Sequence, residues 1–504
     1  MPFENRTDDE EQEYFADGMT DDLITDLSKL SGLIVIARNS VFTYKGRNVK
    51  VQDVAKDLNV THVLEGSVRR VGGRVRINAQ LIDAKTGAHL WAETFDRDFT
   101  DIFDLQDDVT QEIIKALKLS LSPEEKTKLA SQPTTNLKAY NTLLRARQAR
   151  YRLDEKSMGE ALALYDQAIE LDPNFADAHA GAATVARSYW QYAYLGTLMG
   201  TAARNRAEQA IIRELALQPN HPRALLERSR LLSLEGLAGE AIKLMEQVVS
   251  ADPNNATAHR VLATVLAFDD QSARSVMEIE TALRLDPKLK VGDITTTGLV
   301  YFAAGDYEKA ASYFYDATIR APKSQIGYDG LLVSYAMLDR MEEARVAVES
   351  RLRLLPSTLV QFLALFIEHT GPDRRQRWLD AARKAGIPEW PFGFKGNEAD
   401  RLKGDKIANI LFGRRLKGIG KVYGPFEVVH EDNGDWIYKG TKFSFSGQAY
   451  IESDTICYRS DFLVRGRPYC SPIYRNPSGN RADLNEFIRA DQFDINWWSV
   501  VGEQ

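Results

Sequence analysis

The sequence predicts a multidomain protein with an N-terminal α/β domain over residues 1–121, a central all-α repeat region over 137–392 and a β-rich C-terminal domain over 398–504. Three observations lead to this prediction. Helical and strand-like patterns alternate near the N-terminus, prolines recur at a nearly constant step through the middle, and glycine turns separate alternating apolar and polar residues towards the C-terminus. A chain of 504 residues is also too long for one hydrophobic core.

The N-terminal part alternates between helical and strand patterns. The predicted helices and the single buried strand are a helix over 20–30 with Thr20 as its N-cap, a strand over 32–38, and helices over 51–60 and 101–121. Residues 61–97 alternate apolar and polar side chains, with hairpin turns at Gly72-Gly73 and at Lys85-Thr86-Gly87. A polar linker over 122–136 is expected to follow.

Six prolines mark a repeat in the middle of the chain. They are Pro173, Pro219, Pro253, Pro287, Pro322 and Pro356, separated by 46, 34, 34, 35 and 34 residues. Before Pro173, the side chains of Ala161, Tyr165 and Ala168 share one helix face. Because proline stops a helix, each unit is expected to be a pair of antiparallel helices whose second helix ends at the proline.

A step near 34 residues with small, aromatic, small and proline positions is the signature of the tetratricopeptide repeat (TPR). One helix pair cannot bury its apolar face alone, so such units stack into a superhelix with a concave groove. Because the first step is longer than the others, the second unit is expected to contain extra residues, which we place in the segment 188–200. The segment after Pro356 is expected to cap the stack. We therefore expect six pairs and a cap, with four side chains buried between helices: Ala161, Tyr165, Ala310 and Phe314.

Three N-terminal stretches carry a family resemblance: residues 2–30 (PFENRTDDEEQEYFADGMTDDLITDLSKL), 60–70 (VTHVLEGSVRR) and 74–97 (RVRINAQLIDAKTGAHLWAETFDR). Together they resemble the TolB-N/FlgO-like domain that precedes TPR arrays in bacterial signalling proteins. This arrangement is most familiar in multidomain class III adenylate cyclases and occurs in some CadC-like transcription regulators. The C-terminal domain resembles C-terminal extensions of TPR-bearing adenylate cyclase homologues, to which no chemistry is attached.

The resemblance also raises an expectation about what this chain lacks. Such relatives carry a catalytic or DNA-binding domain upstream, and their α/β domain has an apolar strand before the point where this sequence begins. We therefore expect this chain to lack the output domain and the first strand of the sheet. The resemblance then gives no direct basis for cyclase activity.

Composition and charge narrow the classes of partner. The net charge of −7 argues against general binding to nucleic acid or anionic membranes. The sequence contains no run of about 18 apolar residues, so no membrane span is predicted. The first residues have no signal-peptide pattern. The expected location is the cytoplasm, or the periplasm if an upstream segment is missing.

Two cysteines, Cys457 and Cys470, lie in the C-terminal domain. Their spacing across YRSDFLVRGRPY, with a turn at Gly466, suits a disulfide between adjacent strands. The absence of an export signal instead favours reduced cysteines, and a zinc site lacks nearby histidines.

The sequence predicts no catalytic residue, metal ligand or cofactor-binding residue. The histidines His179 and His259 fall at equivalent repeat positions, which indicates packing rather than catalysis. The glycine-rich stretch 413–424 does not fit a phosphate-binding loop, because Ile419 follows Gly418 and no Ser or Thr follows Lys421.

Candidate binding residues instead lie on the first helix of each pair. Projecting the first helix of each pair along its axis places nine side chains towards the groove: Arg150, Arg187, Arg223, Arg230, Arg260, Leu226, Phe268, Phe302 and Met337. Five arginines in an acidic protein are suited to bidentate contacts with a carboxylate-rich peptide. The alternative is that several of them pair with neighbouring Glu or Asp residues.

These observations predict a non-enzymatic TPR interaction protein in bacterial signalling that binds a protein or peptide, with no cofactor. Two alternatives stay open. In the first, the chain is the regulatory part of an adenylate cyclase whose catalytic domain is missing or separately encoded. In the second, the C-terminal domain senses a small ligand.

Overall fold

The computed structural model divides into two compact units, Met1–Ser188 with Asn205–Val300, and Tyr189–Arg204 with Tyr301–Gln504. The structure describes residues 1–7, 12–129, 134–152, 154–192, 200–360, 363, 367, 371–441, 443–460, 468–479, 483, 485–491 and 494–503. The Gly466 turn, most of the segment 188–200 and most of the residues between 361 and 370 lie outside the described residues.

A four-stranded sheet opens the first unit. Its strands, in spatial order, are β1 (Glu4–Asn5), β2 (His62–Val71), β3 (Arg74–Asp83) and β4 (His89–Asp98). The short β1 runs parallel to β2 at the edge, and the other neighbours are antiparallel. Gly72, with φ of 58°, makes the turn between β2 and β3, so the predicted hairpin is confirmed.

Four helices accompany this sheet: α1 (Glu13–Ser28), α2 (Arg38–Val41), α3 (Val51–Leu58) and α4 (Ile102–Ala116). The helices predicted over 51–60 and 101–121 are confirmed as α3 and α4. A further helix, α5 (Pro123–Leu129), lies within the segment predicted as a linker.

Two local predictions are wrong. Thr20 is not an N-cap, because α1 begins seven residues earlier and the Thr20 hydroxyl donates to the carbonyl of Ala16 inside the helix. The segment 32–38 is not a strand: Ile34 is 75% exposed and Ile36 packs into a small buried cluster. The backbone N–H of Ala37 donates instead to the carbonyl of Leu285, so the segment bonds to the repeats rather than to a sheet.

Among the described residues, twelve helices follow one another in the order that the predicted six pairs require. We call the first helix of each predicted pair helix A and the second helix B. The pairs are α6 (Leu137–Arg150) with α7 (Glu155–Leu171), α8 (Ala176–Tyr192) with α9 (Gly200–Leu217), α10 (Pro222–Leu234) with α11 (Ala238–Ala251), α12 (Ala256–Phe268) with α13 (Ser272–Leu285), α14 (Val291–Ala303) with α15 (Tyr307–Arg320), and α16 (Gln325–Met337) with α17 (Met341–Leu354). A further helix, α18 (Pro372–Ala385), packs against the last pair.

Large apolar side chains on helix B pack against small residues on the next helix A. Tyr165 lies against Gly181, where an added Cβ would stand 2.0 Å from the tyrosine ring. Phe314 lies in the same way against Gly330, at 2.3 Å. Both aromatic rings are fully buried, as are Ala161 and Ala310. The predicted burial of these four residues is therefore confirmed, and two glycines provide the space.

The C-terminal part of the second unit consists of α19 (Asp405–Leu411) and nine antiparallel strands. The strands are β5 (Arg414–Gly420), β6 (Gly424–His430), β7 (Asp435–Gly440), β8 (Ser444–Glu452), β9 (Thr455–Arg459), β10 (Tyr469–Ser471), β11 (Ile473–Arg475), β12 (Phe487–Ala490) and β13 (Ile495–Glu503). Their spatial order is β10-β9-β8-β7-β6-β5-β13-β12-β11. Pro472 alone separates the two outermost strands in sequence, and the stretch 413–424 forms β5 and its turn.

Cys457 and Cys470 face each other directly across β9 and β10 and form a disulfide bond. This differs from the expectation of reduced cysteines, which rested only on the missing export signal. The register between the two strands places the sulfur atoms together, and the sequence spacing alone does not fix that register.

A buried histidine lies in the core of this sheet. His430 is fully buried, and its Nε2 lies 3.0 Å from the Tyr458 hydroxyl. Burial, together with the positive charge of Arg489, lowers the pKa of His430 to about 3. No helix among the described residues combines the length and apolar character needed to cross a membrane.

We predict that Phe314→Ala lowers the free energy of unfolding by about 3–5 kcal/mol, because it leaves a cavity between α15 and α16. Urea unfolding followed by far-UV circular dichroism measures the loss. Tyr315→Ala on the same helix is the control, since Tyr315 is 53% exposed. Equal losses for the two variants would contradict the packing described above.

We also predict that the C-terminal sheet loses stability in acid through His430. Its pKa is about 3 in the folded chain and 6.5 in the unfolded chain, so the unfolded state binds an extra proton between these values. Below pH 6.5 the free energy of unfolding should fall by about 1.4 kcal/mol per pH unit until pH approaches 3. Above pH 6.5 this contribution is fully present.

Hydrogen exchange of peptides from β6 and β7, corrected for intrinsic rates, measures this slope. His430→Phe should flatten it, whereas the exposed His89→Phe should leave it unchanged. A slope that survives in His430→Phe would assign the acid sensitivity to another group.

Candidate interaction site

Arg187, one of the predicted groove residues, is held inside the repeats. Its Nε donates to Glu227 on the next helix A at 2.5 Å, and the two side chains are 4% and 3% exposed. Thr184 also donates to Glu227, at 3.2 Å. The guanidinium therefore has a buried internal counter-ion and joins α8 to α10.

Arg260 is used in the same way. Its guanidinium donates to Asp286 at 3.1 Å and lies 3.4 Å from Asp293 at the start of α14. The Arg260 side chain is 6% exposed. The expectation that Arg187 and Arg260 present free charge to a ligand is wrong, because burying a guanidinium requires a nearby counter-ion and the fold supplies one.

The other three arginines are half-buried on their helices A. Arg223 lies near the carboxylates of Asp177 and Glu214, where it favours their charged forms. Arg230 lies near Glu227 and acts on its pKa in the same direction. Arg150 lies at the end of α6, 4.6 Å from the centre of the Tyr151 ring. The five arginines thus do not share one environment.

The four apolar candidates fall into two groups according to their burial. Leu226 and Phe302 are core residues, 7% and 5% exposed, so their assignment to an open surface is wrong. Phe302 packs edge-on against Trp378 with ring centres 4.7 Å apart. Phe268 and Met337 are half-buried and keep some accessible surface. Apolar residues at the right helical position therefore do not all reach the surface.

Within the first unit, the α/β domain docks on α6, the helix A of the first repeat. Asp22 of α1 accepts hydrogen bonds from Arg147 at 2.8 Å and from the Tyr140 hydroxyl at 2.7 Å, both on α6. Gln106 of α4 donates to the Tyr140 hydroxyl at 2.8 Å. Burial raises the pKa of Asp22, while Arg147 opposes the rise. This network connects three helices through one carboxylate.

A second contact joins the start of α2 to a loop between repeats. The Ser40 hydroxyl donates to Asp286 at 2.6 Å, and Asp286 also accepts from Arg260. Lys288 pairs with Asp57 of α3 at 2.6 Å. Asn254, in the preceding loop, donates to three carbonyls at the end of α1 and beyond: Ser28, Leu30 and Leu33. The α/β domain therefore contacts several successive repeats.

Between these two contacts, three cationic side chains surround one aromatic ring. The guanidinium of Arg38 lies 3.7 Å from the centre of the Tyr151 ring and 3.6 Å from that of Phe42. The Nζ of Lys290 lies 5.3 Å from the Tyr151 ring centre, and Arg150 lies on the same ring. We call Arg38, Arg150, Lys290 and Tyr151 the Tyr151 cluster.

Two buried contacts made by ionisable side chains were not predicted from the sequence. Glu214 and Arg351 occupy the position where other repeats carry a small residue such as Ala168. Glu214 is fully buried against the His221 imidazole, and Arg351 donates to the buried Asp329 at 2.6 Å. The sequence feature that could have predicted these contacts is a charged residue at a repeat position that otherwise holds a small one.

The histidines at equivalent positions have equivalent contacts. The Nε2 atoms of His179 and His259 lie 3.1 and 3.0 Å from the carbonyls of Pro173 and Pro253. This agrees with the packing role predicted for them. Among the described residues, the spacing of Glu452, Cys457 and Cys470 would suit a metal ion, but the two sulfur atoms are bonded to each other.

Comparison with known proteins identifies the repeats. A family model described as tetratricopeptide repeat matches residues 200–256 and 295–357. A curated protein from Rhizobium meliloti (strain 1021), named "Putative adenylate cyclase 3", is 49% identical over 186 residues. The alignment covers 37% of this chain and 32% of that protein, so this chain spans about a third of its length.

Solved structures of repeat proteins are similar at low sequence identity. PilF of Pseudomonas aeruginosa is 16% identical with a TM-score of 0.34, covering 45% of this chain and 96% of PilF. A thermophilic TPR protein of Thermus thermophilus is 17% identical with a TM-score of 0.31, covering 42% of this chain and 99% of that protein.

We predict that Arg187→Leu lowers the free energy of unfolding by about 3–5 kcal/mol, because it removes the guanidinium that donates to the buried Glu227 carboxylate. Arg187→Leu combined with Glu227→Leu should recover most of the loss. The exposed Arg213→Leu is the control and should change stability by less than about 0.5 kcal/mol. Urea unfolding measures all three, and an unchanged Arg187→Leu variant would refute the structural role.

Proposed function

We propose that this chain is a non-enzymatic interaction module of bacterial signalling, in which the tetratricopeptide repeats and the α/β domain together bind a protein or peptide partner. The observation that carries the proposal is the docking of the α/β domain on α6 and on two loops between repeats. Asp22, Ser40 and the Asn254 contacts link the α/β domain to α6 and to the loops before α12 and α14. A partner at these helices therefore meets residues of both parts.

The remaining accessible candidates support a partner with negative charge. Arg150, Arg223 and Arg230 are half-buried rather than enclosed. Half-buried guanidinium groups keep enough exposed surface to form bidentate contacts with carboxylates. Phe268 adds apolar surface at the end of its helix A, which suits an acidic peptide that also carries apolar residues.

Selection of short peptides from a displayed random library on the immobilised full chain tests this function. We predict enrichment of acidic peptides whose binding weakens in Arg223→Gln. The exposed Ile212→Gln on helix B of the second repeat is the control and should bind as the parent chain does. The function is wrong if no peptide family is enriched, or if the helix B variant loses binding and the helix A variant does not.

The identity to the Rhizobium meliloti protein favours a second candidate, the regulatory part of an adenylate cyclase. In that case, the full chain is added to the part of the Rhizobium meliloti protein that lies outside the aligned region. It is expected to change the rate at which that part converts ATP to cyclic AMP. The chain alone is expected to form no cyclic AMP with Mg²⁺ or Mn²⁺. Turnover by the chain alone that one substitution abolishes would make the chain itself an enzyme.

A further inference from the structure

The Tyr151 cluster concentrates three positively charged side chains around one aromatic ring. Two guanidinium groups and one ammonium group lie within 5.3 Å of the centre of one ring. They come from three separate parts of the chain: Arg38 from the start of α2, Arg150 from the end of α6, and Lys290 from the residue before α14. Tertiary contacts alone bring these charges together.

The nearby carboxylates already form hydrogen bonds or ion pairs with other groups. Asp21 lies 3.6 Å from Arg38 Nε and accepts a hydrogen bond from the Tyr151 hydroxyl at 3.3 Å. Asp286 and Asp293 pair with Arg260. Asp17 also acts on Arg38, although it pairs with Lys45. Among the described residues, neither Arg150 nor Lys290 forms an ion pair with a carboxylate.

Two donors in the cluster lack hydrogen-bond acceptors. The Nε atoms of Arg38 and Arg150 are both shielded from solvent and neither has a hydrogen-bond partner in the described chain. Lys290, by contrast, is exposed, so the cluster is accessible from one side. Partial desolvation of its ammonium group lowers the pKa of Lys290; Asp293 opposes the shift, and the neighbouring Arg38 and Arg150 add to it. Like charges held together in this way repel each other until an anion neutralises them.

We propose that the Tyr151 cluster is an oxyanion-binding site that receives a carboxylate of an acidic peptide. The carboxylate accepts from Arg150 and from the Lys290 ammonium in charge-assisted hydrogen bonds, while Tyr151 and Phe42 hold Arg38 in place. The inference rests on the proposed function for the identity of the carrier, since a phosphorylated peptide would present the same oxyanion chemistry.

The site also joins the two parts of the first unit. Arg38 belongs to the α/β domain, whereas Arg150 and Lys290 belong to repeats. An anion bound here contacts both and adds to the hydrogen bonds at Asp22 and Asp286. Binding is therefore expected to strengthen the docking of the α/β domain on α6 and on the loops between repeats, which hydrogen exchange across residues 34–45 reports.

Calorimetric titration of the full chain with a hexaglutamate peptide, and separately with inorganic phosphate, tests the site. Hexaglutamate should bind, and its affinity should fall as NaCl rises from about 50 to 300 mM. Lys290→Gln and Arg150→Gln should each weaken binding by about fivefold or more. Tighter binding of phosphate than of hexaglutamate would assign the site to phosphorylated ligands instead.

Two matched variants serve as controls. Lys309→Gln removes an ammonium that lies 4.7 Å from the centre of the Tyr301 ring, and Arg145→Gln removes an exposed guanidinium from α6. Both should bind hexaglutamate as the parent chain does. The proposal is overturned if neither probe binds, or if the control variants weaken binding as much as Lys290→Gln.

The results also separate this site from the proposed function. Library peptides that bind helices A but are insensitive to Lys290→Gln would refute the site and leave the function standing. Binding of hexaglutamate that depends on Lys290, with no peptide enriched from the library, would support the site and count against the function.

Discussion

The contact between a helix B side chain and the following helix A sets the geometry on which the repeats depend. A buried ring at Tyr165 or Phe314 fits only because a glycine lies opposite, at Gly181 or Gly330. In both cases the two residues are sixteen positions apart, and the same spacing leads from Met245 to Val261 within one buried cluster. Size complementarity at this spacing fixes how closely successive pairs approach.

Charge is the second constraint, because helices this close leave little water between them. A guanidinium in such a place needs a carboxylate within hydrogen-bond reach. Arg187 with Glu227, and Arg260 with Asp293, satisfy this requirement between successive helices A, and Arg260 also pairs with Asp286 in the loop after α13. Residues that look like a ligand-binding surface in projection therefore hold the repeats together. Arg150 and Lys290, which form no ion pair among the described residues, are the cations left for a ligand.

Sequence patterns located only part of the candidate site. They placed all five arginines on helices A, where the structure also has them. They did not anticipate Arg38 and Lys290, because neither belongs to the repeating pattern and both reach Tyr151 only through docking of the α/β domain. Periodicity finds residues that share a helix face, but it has no access to side chains that arrive from another domain.

The sequence by itself determined the helix pairs, the hairpin at Gly72-Gly73 and the burial of the repeat aromatics, because each depends on local spacing and on the chemistry of turns. Only the tertiary structure decided which arginines are paired, where the apolar segment 32–38 lies and that Cys457 faces Cys470. These features depend on partners far away along the chain. Their energies come from burial and from charge neutralisation, which exist only after the distant elements have packed.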